Sequence, residues 1–216
     1  VIYESGAGLT ATAAKDGLVA RRTWPTNLVR QQGTGGYELV LNLDLLENAQ
    51  TVAEEAVQML SAQPCPNGVY DLICSPTLLV HILHEIVGHN TELDRILGDE
   101  MGYAGTSFAP KDLAQKFPYA SPLVNIHLDS TFPEGLGTFG YDDEGIPAQK
   151  ADLIKDGILV GFHTSRESAS QIGQASNGCM RADGYNRVPI IRMTNIILQP
   201  GDWRFSDLIQ ETKRGL

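Results

Sequence analysis

The sequence predicts an α+β fold built mostly of antiparallel strands and hairpins, with two main helices. Asp-Gly turns at 16–17 and 156–157 each separate two short apolar runs, a pattern typical of β-hairpins. Residues 47–62 and 76–88 instead place their apolar residues at helical spacing. Hairpins join neighbouring strands in antiparallel pairs, so most of the pairing is expected between sequence neighbours.

The N-terminal part contains the first hairpin, a strand and the first main helix. Residues 37–44 alternate apolar and polar side chains, as a half-buried strand does. The helix 47–62 follows, and the run Pro64–Gly68 then breaks the chain. This break predicts two parts: residues 1–65, the end of an N-terminal α/β lobe, and residues 66–216, which hold the second helix and a β-rich lobe.

The second main helix has a well-marked start. Val69–Cys74 is a short apolar run and is predicted as a strand. Ser75 can cap the first free amides of the helix, and Pro76 suits its first position. One face of the helix is apolar, and its polar residues recur three and four apart on the opposite stripe. Those polar-stripe residues are Thr77, His81, His84, Glu85 and Gly88.

The C-terminal half is predicted to be mainly strands, connected by glycine-rich loops at 135–145 and 173–187. After a helical turn at 92–97, we expect a strand at 123–129, the hairpin around 156–157, a helix at 165–172, a strand at 190–198 and a helix at 206–213 capped by Ser206.

Composition limits the possible functions. The chain has 216 residues, 42% of them hydrophobic and 19% charged, as expected of a globular protein. Sixteen basic and 26 acidic residues give a net charge of -10, which argues against a nucleic-acid or anionic-membrane surface. The absence of a long apolar run or signal segment predicts a cytoplasmic protein. Because it starts at Val1 and ends at Leu216 directly after a helix-like segment, we expect it to be a fragment.

The segment 84–89, His-Glu-Ile-Val-Gly-His, has the residue types of a metal-dependent hydrolase. Neutral imidazoles bind zinc, and an adjacent carboxylate can move a proton. The histidines, however, are five residues apart, which on a regular helix separates them by roughly 140°. The rings converge if the helix widens into a π-turn, or if it ends at Gly88 and His89 swings back.

Other candidate residues have simpler interpretations. His81 can pair with a carboxylate one turn away, and His127 and His163 are expected to be structural histidines on strands. The acidic loop 142–144 is typical of a solvated turn, although carboxylates there could bind a cation or an amine. Cys179 is expected to be a buried or loop thiol.

Four motifs occur in order at 84–89, 142–147, 156–161 and 189–195, the last containing Arg-Met-Thr-Asn. Together they resemble the TldD/PmbA family, the so-called modulators of DNA gyrase, which are regarded as metalloproteases. The resemblance implies that His84 and His89 bind zinc and that Glu85 activates water. The family's third ligand is a cysteine downstream of the Arg-Met-Thr-Asn segment, whereas Cys179 lies upstream of it. We therefore expect zinc to bind this chain weakly or not at all.

The presence of the histidine motif makes the chain similar to the catalytic, TldD-type subunit. The resemblance then implies a TldE/PmbA-type partner subunit, or a homodimer, and hydrolysis of unfolded or extended peptides. Such peptides would be held by strand addition at a sheet edge, with the two glycine-rich loops as candidate walls of the groove. The alternative is a non-catalytic interaction module or gyrase-related adaptor in which the histidines are structural.

Overall fold

A computed structural model describes residues 2–28, 30–110, 112 and 116–216. The fold is α+β with short antiparallel sheets, as predicted. The chain forms two compact units, Val1–Leu79 with Trp203–Leu216, and Val80–Asp202. The division into lobes at 1–65 and 66–216 stays a prediction. No helix in the described part of the chain is long and apolar enough to span a membrane.

The secondary-structure elements are short. The helices are α1 (Tyr37–Leu41), α2 (Leu45–Met59), α3 (Pro76–Ile82), α4 (Leu93–Leu97), α5 (Arg166–Gln171) and α6 (Phe205–Glu211), with a π-helix at Leu83–Gly88 and a 3-10 helix at His89–Thr91. The strands are β1 (Glu4–Ala7), β2 (Leu9–Lys15), β3 (Leu18–Trp24), β4 (Gln31–Thr34), β5 (Ile126–Asp129), β6 (Lys150–Lys155), β7 (Ile158–Leu159), β8 (Met180–Arg181), β9 (Ile190–Ile191) and β10 (Ile196–Leu198).

In the first unit, helix α2 packs on the β2–β3 hairpin. The predicted Asp-Gly turn is confirmed, since Asp16 and Gly17 both have positive φ angles, 52° and 80°. Val52 and Ala56 are the buried residues of α2. These two positions are four apart, so they lie on one face of the helix, as predicted from the apolar spacing.

Two strands predicted in this unit are wrong. Residues 37–41 form the one-turn helix α1 instead of a strand. The Glu38 carboxylate accepts a hydrogen bond from the Gly36 amide at 2.7 Å, and none of the α1 side chains is buried. Without a face to bury, the alternating pattern brings no advantage as a strand. Residues 69–74 form only a single bridge, from Asp71 to Gly215.

The final helix, α6, is also shifted from its prediction. It begins after Arg204, and Ser206 lies inside it rather than at its N-cap. The Ser206 hydroxyl donates to the Asp207 carboxylate at 3.0 Å. The prediction that Ser206 caps this helix is therefore wrong. Arg204 occupies the N-cap position, and its side chain makes no capping hydrogen bond.

The second unit is organised around a four-stranded antiparallel sheet with strand order β10-β5-β6-β7. The predicted hairpin around Asp156 and Gly157 joins β6 to β7. The predicted strand 190–198 divides into β9 and β10. The intervening Asn195 accepts a hydrogen bond from the Gly137 amide at 2.9 Å, which ties this segment to a loop. The core residues are Val87, Leu93, Ala109, Ile126, Leu128, Leu153, Ile154, Leu159, Phe162, Cys179 and Ile191.

Asp94 makes the stability of this unit depend on pH. Its carboxylate accepts from the Ile191 amide at 3.2 Å and the Arg95 amide at 2.8 Å, while burial raises its pKa to about 6. The folded protein therefore holds this proton more tightly than the unfolded chain, whose aspartates keep a pKa near 3.8. The contribution of Asp94 to the free energy of unfolding therefore increases as the pH falls below about 6, and it is lost as the pH rises above that value.

We predict that lowering the pH from 7 to 5 stabilises the protein through Asp94 by about 1 kcal/mol. The Asp94→Asn variant should lose this gain, whereas the exposed control Asp99→Asn should keep it. Urea unfolding at both pH values measures the difference. Equal pH dependence in the wild type and Asp94→Asn would contradict the assignment.

Candidate metal centre

The helix that bears the histidine motif widens where the motif begins. Helix α3 continues into the π-helix Leu83–Gly88, and the His89 amide donates to the His84 carbonyl, five residues back. The two imidazole rings consequently meet edge to face, with centroids 4.6 Å apart and planes at 86°. Of the two ways in which the rings could converge, the structure adopts the π-turn.

The convergence produces a compact set of metal-ligand atoms. One ligand atom each from His84, Glu85 and His89 lies within 4.8 Å of the others. No second group of three such residues is found in the described part of the chain. The His84 and Glu85 side chains are 51% and 70% exposed, whereas that of His89 is 18% exposed. The cluster is therefore open to solvent at His84 and Glu85, whereas the side chain of His89 is mostly buried.

Side chains satisfy the backbone carbonyls that the wide turn leaves free. The side-chain amide of Asn90 donates to the backbone carbonyls of Glu85 at 2.7 Å and Ile86 at 3.3 Å. The Tyr119 hydroxyl also donates to the Ile86 carbonyl. The Thr91 hydroxyl donates to the Val87 carbonyl at 2.9 Å. These hydrogen bonds give the carbonyls of the wide turn protein partners, and the bond to the Val87 carbonyl is buried, where an unpaired acceptor would be costly.

Gly88 brings a second motif against the π-helix. It is buried, and a Cβ atom placed on it would lie 1.9 Å from the Met193 sulfur. Met193 belongs to the Arg-Met-Thr-Asn segment, more than one hundred positions further along the chain. A larger residue at this position would therefore have to displace the Met193 side chain, which is flexible and only partly buried.

A buried ion pair holds the ring of His89. The Nδ1 atom of His89 lies 3.1 Å from Glu92 Oε2 and 3.0 Å from Arg95 Nη2. Arg95 also donates from Nε to the same carboxylate oxygen at 2.5 Å and from Nη1 to the Ala104 carbonyl at 2.6 Å. Sequence reasoning missed Glu92 and Arg95. Their spacing from each other, three residues, is also that of an ordinary surface ion pair on a helix.

Both histidines of the cluster are kept neutral. Burial lowers the pKa of His84, and the neighbouring His89 lowers it further. Burial also lowers the pKa of His89, assisted by the positive charge of Arg95. At neutral pH the imidazoles are therefore uncharged, which is the form that has a lone pair for a metal.

The other histidines and Cys179 lie outside the cluster. His81 is exposed, and its side chain forms no hydrogen bond or ion pair with any described residue, so the predicted pairing with a carboxylate one turn away is wrong. His127 is buried in β5 with Nδ1 3.3 Å from Gln199 Nε2, and the fully buried His163 contacts the Thr91 hydroxyl at 3.0 Å. Burial lowers the pKa of His163 to about 4. These contacts agree with a structural role for both.

Cys179 is a buried thiol. Its side chain donates to the Asn177 side-chain carbonyl at 3.3 Å, and burial raises its pKa to about 12. A thiol held in its protonated form is neither a nucleophile nor a ready metal ligand. Cys179 therefore fits the interpretation of a buried structural cysteine.

The carboxylates of the acidic loop 142–144 accept hydrogen bonds from other segments of the chain. Asp142 accepts from the amide of Met180 at 3.1 Å, and Asp143 accepts from that of Ala182 at 2.6 Å. Glu144 accepts from the Arg166 amide at the start of α5, at 2.8 Å. A solvated turn does not describe these carboxylates, because all three bind backbone amides of distant segments.

An α+β fold with two neutral histidines and a glutamate converging on one widened helix defines a candidate metallopeptidase site. Residues 67–216 match the family described as the PmbA/TldA metallopeptidase C-terminal domain. The chain belongs to this family, which confirms the resemblance found in the sequence.

The matched proteins are metalloproteases by name. A metalloprotease of Methanothermobacter thermautotrophicus is 36% identical over 184 residues, which are 85% of this chain and 38% of the relative. A zinc metalloprotease TldD homolog of Saccharolobus solfataricus is 27% identical over 172 residues, 80% of this chain and 37% of the relative. The chain thus spans about two fifths of the length of these relatives.

A solved structure shows the same fold. The crystal structure of TldE from Thermococcus kodakarensis superposes with a TM-score of 0.69 at 22% identity, covering 96% of this chain and 43% of that one. The similarity supports the α+β architecture.

We predict that Gly88→Ala destabilises the protein by about 1 kcal/mol or less, because the cost of displacing the flexible Met193 side chain is partly offset by the better helix propensity of alanine. The new methyl group has to displace Met193, which urea unfolding should register. In a Met193→Ala background the same substitution should cost nothing, and the open position Gly140→Ala serves as the control. A full cost in the Met193→Ala background would show that the clash is not the cause.

Proposed function

We propose that this chain supplies the zinc-binding and proton-transfer residues of a metallopeptidase that hydrolyses unfolded or extended peptides. His84 and His89 are the ligands and Glu85 is the general base. The observation that supports this most directly is the π-turn, which brings the three side chains within 4.8 Å of one another. A regular helix would point the two histidines in different directions.

The chemistry of these residues fits zinc. Zinc is bound well by neutral imidazole nitrogen, and catalytic zinc sites combine three protein ligands with one open position. This chain offers two histidines in a solvent-open cluster, while Cys179 is buried elsewhere with its sulfur bonded to Asn177. The resulting donor set is one ligand short, which supports weak binding by residues 1–216.

A bound zinc ion supplies Lewis acidity, which polarises a carbonyl and lowers the pKa of water. Glu85 is proposed to move the proton. Its Oε1 atom lies 4.0 Å from His84 Nε2, and its side chain is mostly exposed, so an incoming peptide and water can reach it. It takes a proton from the attacking water and delivers it to the leaving amine.

Extended substrates are proposed to bind by pairing with a sheet edge. Strand β10 is an outer strand of the four-stranded sheet in the described part of the chain, and it lies against the π-helix that carries the cluster, so we propose its outer edge as the docking edge. The loop residues Gly135 and Gly137 lie against Asn195, just before β10. We further propose assembly with a TldE/PmbA-type subunit or as a homodimer.

In the complete protein, Glu85→Gln should reduce cleavage of an unfolded peptide at least 100-fold while zinc content stays unchanged. The amide keeps the size of the side chain but cannot accept the proton. An exposed glutamate in α2 provides the matched control, Glu47→Gln, which should cleave normally. Undiminished cleavage by Glu85→Gln would remove Glu85 from the mechanism.

Zinc binding to residues 1–216 should be weak and should require both histidines. Titration of Zn²⁺ against a chromophoric chelator is expected to show loss of binding in His84→Ala and in His89→Ala. The His81→Ala variant, on the same helical stripe, should bind as the wild type does. Stoichiometric zinc that survives purification, found by elemental analysis, would contradict the incomplete donor set.

A further inference from the structure

Glu92 is the residue near the cluster whose role the proposed chemistry leaves unexplained. It is 1% exposed, and its Oε1 atom has no hydrogen-bond partner among the described residues. Its other oxygen lies 3.1 Å from His89 Nδ1 and accepts from Arg95 Nε at 2.5 Å. Burying a carboxylate is costly, so its few donors contribute strongly to keeping it in place.

The ring nitrogen Nδ1 has two competing neighbours, which require opposite tautomers. Glu92 can only accept, so it needs a proton on Nδ1, whereas Arg95 Nη2, at 3.0 Å, can only donate and needs a lone pair there. With the lone pair on Nδ1, the proton would move to Nε2, and His89 could not bind a metal through that atom.

The surrounding contacts favour Glu92 as the partner. Arg95 has other acceptors, namely the carboxylate itself and the Ala104 carbonyl at 2.6 Å. Glu92 would be left with Arg95 as its single donor among the described residues. Both alternatives contain one charged partner, so each is a strong hydrogen bond of about 1.5–3 kcal/mol, and the number of partners that Glu92 and Arg95 keep otherwise decides between them. The balance therefore lies with a proton on Nδ1 that is donated to the carboxylate.

We infer that Glu92, braced by Arg95, is a positioning residue that holds His89 in the Nδ1–H tautomer and so leaves Nε2 free for the metal. This inference rests on the proposed function, because it assigns Glu92 a role toward the same metal. A carboxylate behind a ligating histidine fixes the ring orientation and raises the basicity of the ligand, and its loss typically costs about 10- to 100-fold in metal affinity.

The decisive experiment measures the tautomer without any metal. Long-range ¹H–¹⁵N spectra of metal-free residues 1–216 at pH 8 distinguish a protonated Nδ1 from a protonated Nε2 on His89. We expect the Nδ1–H form in the wild type and a shift toward Nε2–H in Glu92→Gln. The charge-matched variant Glu47→Gln should retain the wild-type spectrum. An Nε2–H form in the wild type would overturn the inference without the need for any variant.

Zinc affinity provides the second measurement. With Zn²⁺ alone and a competing chelator, Glu92→Gln should bind about 10- to 100-fold more weakly than the wild type, and Glu47→Gln should bind equally well. Equal affinity in Glu92→Gln with an unchanged tautomer would refute the positioning role. If residues 1–216 bind no measurable zinc, as an incomplete donor set allows, the same titration is made with the complete protein. Absence of zinc binding there would refute the proposed metal site, and the tautomer measurement would still decide whether Glu92 holds the ring.

Discussion

The hydrogen bond from the His89 amide to the His84 carbonyl is the interaction on which the candidate site depends. In a regular α-helix that amide would bind the Glu85 carbonyl, four residues back, and the two imidazoles would diverge. Here the Glu85 carbonyl instead accepts from the Asn90 side chain at 2.7 Å. The extra residue in the turn is tolerated because its displaced acceptor is satisfied. Side chains that follow the motif are therefore as necessary to its geometry as the histidines.

Distant motifs support the same turn by binding backbone groups. Asn195 donates to the Asp129 carbonyl at 2.8 Å and accepts from the Gly137 amide, which fixes the segment that contains Met193. Met193 in turn lies against Gly88, where a side chain would collide with it. Each such bond contributes about 1 kcal/mol, but an unpaired buried group would cost about 1–3 kcal/mol. This asymmetry explains why polar motif residues far from the histidines hold loops instead of facing the cluster.

The features predictable from the sequence are those determined by neighbouring residues. The hairpins follow from Asp-Gly turns, and Asp156 and Gly157 have the positive φ angles that such turns need. The strand predicted at 37–44 failed because alternation does not reveal whether a sheet face is available. For the site, spacing left two routes to convergence, and choosing the π-turn required Asn90 and Thr91. Glu92 was missed because only burial distinguishes its pair from a surface ion pair.

The two histidines begin from different degrees of order. The ring of His89 is already restrained by contacts to buried Glu92 and Arg95, whereas the side chain of His84 is half exposed and lies beside an exposed glutamate. Ordering a mobile side chain costs about 0.5–1.5 kcal/mol on binding. The entropy cost of ordering the side chain on metal binding would therefore be small for His89 and larger for His84. In the proposed site, the restrained ring of His89 would therefore fix the position of an ion, and the exposed side chains of His84 and Glu85 would adjust to it. Such exposure would also leave the cluster accessible to the extended peptide that we propose as its substrate.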